Sequence, residues 1–214
     1  MTLPAAQASD TRPYLLERVE DAAVVQLYAD GFEALPLEQK ILIYHLYQAA
    51  LAGRDIYYDQ RYAHNLDMRE VLEETLTHAE GIDPATLEDI QRYTKLFWIN
   101  TGPHNNLTAR KFIPKCPPEA FARAVSIAGR NGARFPLRPG ESVDQMVERL
   151  RPLFFDLDVD SIVTNKTPGQ NRDILQASAN NLYSGVTMED LEGFAEEHPL
   201  NSRLIKREIG RAHV

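Results

Sequence analysis

Apolar residues recur at helical spacing along most of this chain, and proline, glycine or helix-capping residues separate the runs. The pattern predicts that helices begin near Asp10, Leu35–Pro36, Leu66, Asp83–Pro84 and Pro117–Pro118. Residues 156–176 show no helical period. We therefore predict a mainly α fold for this chain.

Two pairs of residues have the spacing of a capping box, in which the side chains at the N-cap and three residues later bond to each other's backbone. They are Ser142 with Gln145, and Thr187 with Asp190. Both predict a helix start. Pro152 is expected to stop or kink the helix that follows Ser142, because proline cannot donate a helical hydrogen bond.

The first two predicted helices differ in their apolar pattern. The first has a possible cap at Asp10 or Thr11, Pro13 in its first turn and one apolar stripe; the stripe contains Leu16, Val19, Ala23, Leu27 and Phe32. The second runs from Pro36 to a stop at Gly53 and is apolar around most of its circumference. A helix of that kind is expected at the centre of a fold, with His45 in the core.

Bulk properties restrict the classes of function. With 43% hydrophobic and 25% charged residues, the 214-residue chain has the composition of a soluble globular protein. A net charge of -8 without a basic stripe argues against a nucleic-acid partner, and no apolar run reaches the ~20 residues of a membrane span. The one cysteine, Cys116, is expected to be a structural thiol.

The metal-ligating residues do not form a recognisable site. None of the six histidines precedes a glutamate, and no two lie three to five residues apart, so a helical zinc-binding pair is absent. Asp156, Asp158 and Asp160 have the initial spacing of a calcium loop. However, that loop also needs glycine at its sixth position and glutamate at its twelfth, where this chain has Ser161 and Thr167.

A polar turn follows the helix predicted from Asp83. Thr101, Gly102 and Pro103 end the helix, and the next residues concentrate donors and acceptors: His104, Asn105, Asn106, Thr108, Arg110 and Lys111. Such a turn suits binding of a peptide backbone or a carboxylate. On the residues alone, an ordinary connection in which asparagine side chains satisfy their own turn is favoured.

Five blocks of sequence, including the run Asn100-Thr-Gly-Pro-His-Asn-Asn106, resemble the bacterial branch of the dipeptidyl peptidase III family of zinc exopeptidases. The blocks are residues 50–62, 95–112, 164–170, 177–194 and 199–204, within a resemblance that runs from 14 to 207. The resemblance implies a two-lobed enzyme that removes dipeptides from the amino end of short peptides. It covers the N-terminal portion of a family member.

The resemblance also implies where the cofactor and the substrate bind. The family's zinc motif has no counterpart in this chain, so zinc is expected in the missing C-terminal lobe, and this chain alone is expected to be inactive. The chain would supply a wall of the substrate cleft, with Asn100, Asn105, Asn106 and Lys111 as candidate substrate-binding residues. With the rest of the lobe included, the fold is expected to be α+β.

Three further expectations concern boundaries and cellular context. Residues 1–13 are expected to be a disordered leader, 14–207 the N-terminal lobe, and 208–214 a non-native tail resembling a translated sequencing adapter. A cytoplasmic location is expected, or a periplasmic one if an upstream signal was lost. The alternative to a peptidase lobe is a self-contained helical module that binds peptides or proteins without catalysis.

Overall fold

The computed structural model describes residues 12–195 and 203–206. Helix accounts for 45% of the described residues and strand for 9%, so the prediction of a mainly α chain is confirmed. The chain divides into two compact units, one ending at Gln48 and the other beginning at Ala49. The expectations for residues 1–11 and 208–214 lie outside the described residues.

The described part of the first unit, from residue 12, begins with a β-hairpin, so the helix predicted from Asp10 to Phe32 is wrong over these residues. Strands β1 (Leu15–Val19) and β2 (Ala22–Val25) pair in antiparallel register across a two-residue turn. Glu20 in the turn has a φ of 55°, in the left-handed region that such tight turns require. The apolar residues fit a helical stripe by spacing alone, but the β-branched Val19, Val24 and Val25 favour a strand.

Helix α1 (Leu37–Ala52) forms as predicted and is followed by Gly53. Its predicted central position is wrong for the described residues, since none of its residues is buried. Leu46 remains 60% exposed, and His45 is exposed rather than in the core. The apolar pattern predicts that such a helix needs covering on all sides, but it does not specify what covers it.

The second unit contains the hydrophobic core. Its main helices are α2 (Arg54–Arg61), α3 (Asn65–Thr77), α4 (Pro84–Asn100), α5 (Pro118–Arg130) and α6 (Val143–Phe155). Helix α3 packs against α2, α4 and α5, and α5 also packs against α6. The fully buried side chains between them include Met68, Leu72, Ile90, Phe97, Val125, Met146, Leu150 and Phe154. Within the described residues, no helix has the length and apolar character needed to cross a bilayer.

The predicted helix starts at Asp83, Ser142 and Thr187 are confirmed. The Asp83 carboxylate accepts a hydrogen bond from the backbone of Thr86, and both capping boxes are formed. Thr187 opens a single turn, α7 (Met188–Leu191). Pro152 does not stop α6, which continues to Phe155 because the backbone of Asp156 still donates to the carbonyl of Pro152.

The segment without helical period is irregular, as predicted for residues 156–176. Its extended part, around Ile162 and Val163, lies between two other backbone segments. On one side Val163 donates to the carbonyl of Ala109, and on the other Ala179 donates to the carbonyl of Ile162. Further along, β3 (Tyr183–Ser184) pairs in parallel with β4 (Leu204–Ile205). The bond between Val163 and Ala109 holds the polar turn after α4 against the irregular segment.

Candidate functional site

The polar turn after α4 begins with a tight backbone reversal. Thr101 has a φ of 52° and Gly102 a φ of 131°, and the backbone nitrogen of Gly102 donates to the carbonyl of Phe97. The Asn65 side chain packs directly against Gly102 and donates through Nδ2 to the carbonyls of Tyr58 and Thr101, at 2.9 and 3.0 Å. Asn65 therefore joins the end of α2 to the end of α4.

Asn100, the first candidate substrate-binding residue, is 6% exposed. Its Oδ1 accepts from the backbone nitrogen of Asn106 at 2.9 Å, and its Nδ2 donates to the carbonyl of Leu96 at 2.9 Å. Both functional atoms of this side chain therefore have partners within the protein.

Asn105 and Asn106 lie in the same turn but differ in their contacts. Asn105 Oδ1 accepts from the backbone nitrogens of Leu107 and Thr108, as expected of an ordinary connection in which an asparagine side chain satisfies its own turn. Asn106 is exposed, and its Nδ2 makes one long bond of 3.3 Å to the carbonyl of Ile99. Leu107 at the tip is 95% exposed. Of the four candidates, Asn106 is the one whose side chain is most available to a ligand.

Lys111, the last candidate, is 7% exposed and bonded to backbone. Its Nζ donates to the carbonyls of Pro152, Asp156 and Val159, at 3.2, 2.7 and 2.8 Å. A lysine ammonium has three donors, so none remains for a ligand in this arrangement. Burial lowers the pKa of Lys111. The charge lies at the C-terminal end of α6, where the helix dipole favours a cation.

His104 is completely buried between the polar turn and the irregular segment. Its Nε2 donates to the carbonyl of Asp160 at 2.6 Å, and Arg61 Nη2 donates to the His104 carbonyl at 3.0 Å. Burial, aided by the nearby Lys111 and Arg61 charges, lowers the pKa of His104 to about 4. The ring is therefore neutral at pH 7.

Side chains from distant parts of the sequence meet around His104. Tyr62 packs edge-on against His104, and its hydroxyl donates to Asp160 Oδ2 at 2.7 Å. Burial, followed by the bond to Asp160, raises the pKa of Tyr62. Asn181 Nδ2 donates to the carbonyl of Asp59 at 3.0 Å. We refer to Arg61, Tyr62, Asn65, His104, Lys111, Asp160 and Asn181 as the His104 junction.

An open polar cleft of about 430 Å³ lies beside the junction, lined in part by Asp158, Asp160, Arg172 and Asp173. The carboxylate of Asp173 is occupied by backbone donors, including Met188 N at 2.8 Å. Among residues 12–195 and 203–206, no three histidine, cysteine, aspartate or glutamate side chains come together as a metal site. These residues therefore offer no ligand set for zinc, which the family resemblance implies for the missing C-terminal lobe.

Neither the candidate substrate-binding residues nor the predicted polar turn included Asn65, Asp160 or Asn181 of the junction. Asn181 lies in a resembling block, but nothing in its local pattern identifies Asp59 as its partner. Asp160 drew attention only through its calcium-like spacing. Outside the junction, Cys116 is buried, and burial raises its pKa to about 11, as expected of a structural thiol.

A comparison with models of known protein families found no match, and neither did one with curated proteins.

Proposed function

We propose that this chain forms part of the substrate-cleft lobe of a zinc-dependent dipeptidyl peptidase similar to the dipeptidyl peptidase III family. The observation that supports the proposal is the meeting of three resembling blocks at the His104 junction. Arg61 from the block 50–62 bonds to His104 in the block 95–112. Asn181 from the block 177–194 bonds back to Asp59 in the first.

In this proposal the junction acts as scaffold and the exposed part of the polar turn contacts substrate. The neutral, buried His104 and the fully bonded Lys111 hold the turn against the irregular segment. The peptide would bind where side chains remain accessible, at Asn106 and along the neighbouring polar cleft. Zinc would be held by residues of another segment and would supply the Lewis acid for hydrolysis.

The deciding experiment is to sequence the source DNA beyond codon 207 and express the complete reading frame. We expect a His-Glu pair with a second histidine about one helical turn later, and zinc-dependent release of dipeptides from a short peptide. The same peptide with an acetylated amino end is the control and should not be cleaved. A frame without such a motif, or a full-length protein that releases no dipeptides, would overturn the proposal.

The second candidate is a helical module that binds peptides or proteins without catalysis. Helix α1 is compatible with it, because a helix with exposed apolar residues all around calls for a covering polypeptide, which would be a binding partner here and the missing part of the protein on the first proposal. On either proposal the isolated chain should bind a hydrophobic dye or self-associate, and α1 should mediate the effect. The double variant Leu42→Gln and Leu46→Gln should abolish both, and a clean monomer without dye binding would count against the truncated lobe. The complete reading frame separates the two candidates, because on this alternative it carries no zinc motif.

A further inference from the structure

Asn131 and Gly132 form the only Asn-Gly dipeptide in the sequence, at the C-terminal end of α5. In a flexible chain this pair reacts with itself because glycine has no side chain to hinder the approach. The backbone nitrogen of Gly132 attacks Cγ of Asn131, an N–Cγ bond forms, the Cγ–Nδ2 bond breaks, and ammonia leaves with the displaced proton. Water then opens the cyclic imide to aspartate or isoaspartate, and no oxidant is needed.

The fold holds both reacting groups in other interactions. Asn131 Nδ2 donates to the carbonyls of His78 and Glu80, at 2.9 and 2.8 Å. The backbone nitrogen of Gly132 donates to the carbonyl of Gly129 at 3.2 Å. We refer to the two bonds from the Asn131 side chain as the Asn131 clasp. It ties the end of α5 to the chain that follows α3.

The backbone conformation is also wrong for reaction. Ring closure requires the Gly132 nitrogen to lie beside Cβ of Asn131. At the observed ψ of 1°, that nitrogen is instead eclipsed with the backbone nitrogen of Asn131 itself. The following residues hold this geometry, since Ala133 donates to the carbonyl of Ala128 and Arg134 donates to Glu74 Oε2 at 2.7 Å. The Asn131–Gly132 bond must rotate before the attack can occur.

The product would not fit the native contact. Deamidation replaces the Nδ2 donor with a carboxylate oxygen, which would face the carbonyl oxygens of His78 and Glu80. Two hydrogen bonds would become contacts between acceptors. We propose that Asn131–Gly132 is a latent deamidation site, kept unreactive by the Asn131 clasp, and that deamidation weakens the contact between the end of α5 and the chain that follows α3.

The test measures the fraction of deamidated molecules when the intact chain is incubated at neutral pH. Each deamidated molecule gains one negative charge, so ion exchange separates it from the unreacted protein. Trypsin releases residues 131–134, which locates the change at this dipeptide. We expect deamidation in the folded chain to be at least about tenfold slower than in urea-unfolded chain, because the reaction needs the opened form. Equal rates, or a charge gained in another peptide, would overturn the proposal.

Two pairs of variants sharpen the test. Glu74→Ala removes the acceptor for Arg134 and should speed deamidation of the folded chain about tenfold. Glu88→Ala, at an exposed position of α4, is the matched control and should leave the rate unchanged.

Asn131→Asp imitates the product and should be less stable than Asn131→Ala, which removes the donor without adding a charge. The clasp would be contradicted if the Glu74 variant deamidated no faster than the Glu88 variant, or if Asn131→Asp were as stable as Asn131→Ala. The comparison of folded with unfolded chain does not depend on either result.

Discussion

The Asn65 side chain occupies the space that a Cβ atom on Gly102 would require: such an atom would lie 2.5 Å from Asn65 Oδ1. This contact lets the backbone after α4 pass close to the start of α3. It also places Nδ2 of Asn65 on the carbonyls of Tyr58 and Thr101. The backbone reversal at Gly102, where the polar turn leaves α4, therefore depends on contact with an asparagine 37 positions earlier in the sequence.

Gly102→Ala should destabilise the protein by roughly 2–4 kcal/mol, because it combines a steric clash with an unfavourable backbone angle. Urea denaturation measures the loss. Gly140→Ala is the matched control: Gly140 also has a positive φ, of 78°, but no atom lies within 4 Å of the added Cβ. The difference between the two variants reports the contact with Asn65 together with the larger φ of Gly102, 131°, and equal losses would show that neither adds to the cost.

Lys111→Met should cost about 2–4 kcal/mol, since the methionine keeps the length of the side chain but leaves three backbone carbonyls without their ammonium donor. The change in the free energy of unfolding can be followed by denaturation. Lys166→Met, at an exposed position, should change it little. If both variants unfold at the same denaturant concentration, the three hydrogen bonds from Lys111 to backbone carbonyls do not stabilise the fold.

His104 should make the fold sensitive to mild acid. Its pKa is about 4 in the folded protein and near the ordinary 6.5 when unfolded, so the unfolded state binds the proton more tightly. The stabilisation is fully present above about pH 6.5 and is lost as the pH falls towards 4. It amounts to about 3 kcal/mol as an order of magnitude. Glu141, whose pKa the Arg149 hydrogen bond lowers to about 2, contributes its own loss only below about pH 4.5.

Denaturation at a series of pH values, on the protein and on His104→Gln, measures this effect. Glutamine can still donate to the Asp160 carbonyl but does not titrate, so the slope between pH 6.5 and 4 should flatten. His45→Gln, at an exposed position of α1, should retain the full slope. An unchanged slope in the His104 variant would show that another group carries the acid sensitivity.

If the polar turn contacts peptide substrate, Asn106→Ala should weaken peptide binding about fivefold to tenfold while stability changes by less than about 0.5 kcal/mol. Asn100→Ala should instead destabilise the fold by about 1–3 kcal/mol, because it leaves the backbone of Asn106 without its acceptor. Calorimetric titration of the complete protein with a short peptide separates the two. Retention of full affinity by the Asn106 variant would remove this residue from the substrate site.

Capping explains why the helix starts could be read from the sequence while the role of the polar turn could not. The Ser142–Gln145 and Thr187–Asp190 boxes are interactions over three residues, so the local sequence specifies them. The partners of Lys111 lie more than 40 positions away, and those of His104 and Asn181 are equally remote. Residue type alone does not distinguish a lysine that binds a substrate from one that donates hydrogen bonds to the carbonyls at the end of a helix.

The sequence by itself determined the mainly α character, the positions of most helix boundaries and the thiol character of Cys116, because proline, glycine, caps and apolar period act over a few residues. Only the tertiary structure decided that residues 15–25 form a hairpin and that α1 has no buried residue. It also decided that Asn100 and Lys111 bond inward while Asn106 faces solvent. The physical reason is common to all three outcomes: strand pairing, burial and the satisfaction of polar groups depend on partners that only folding brings close.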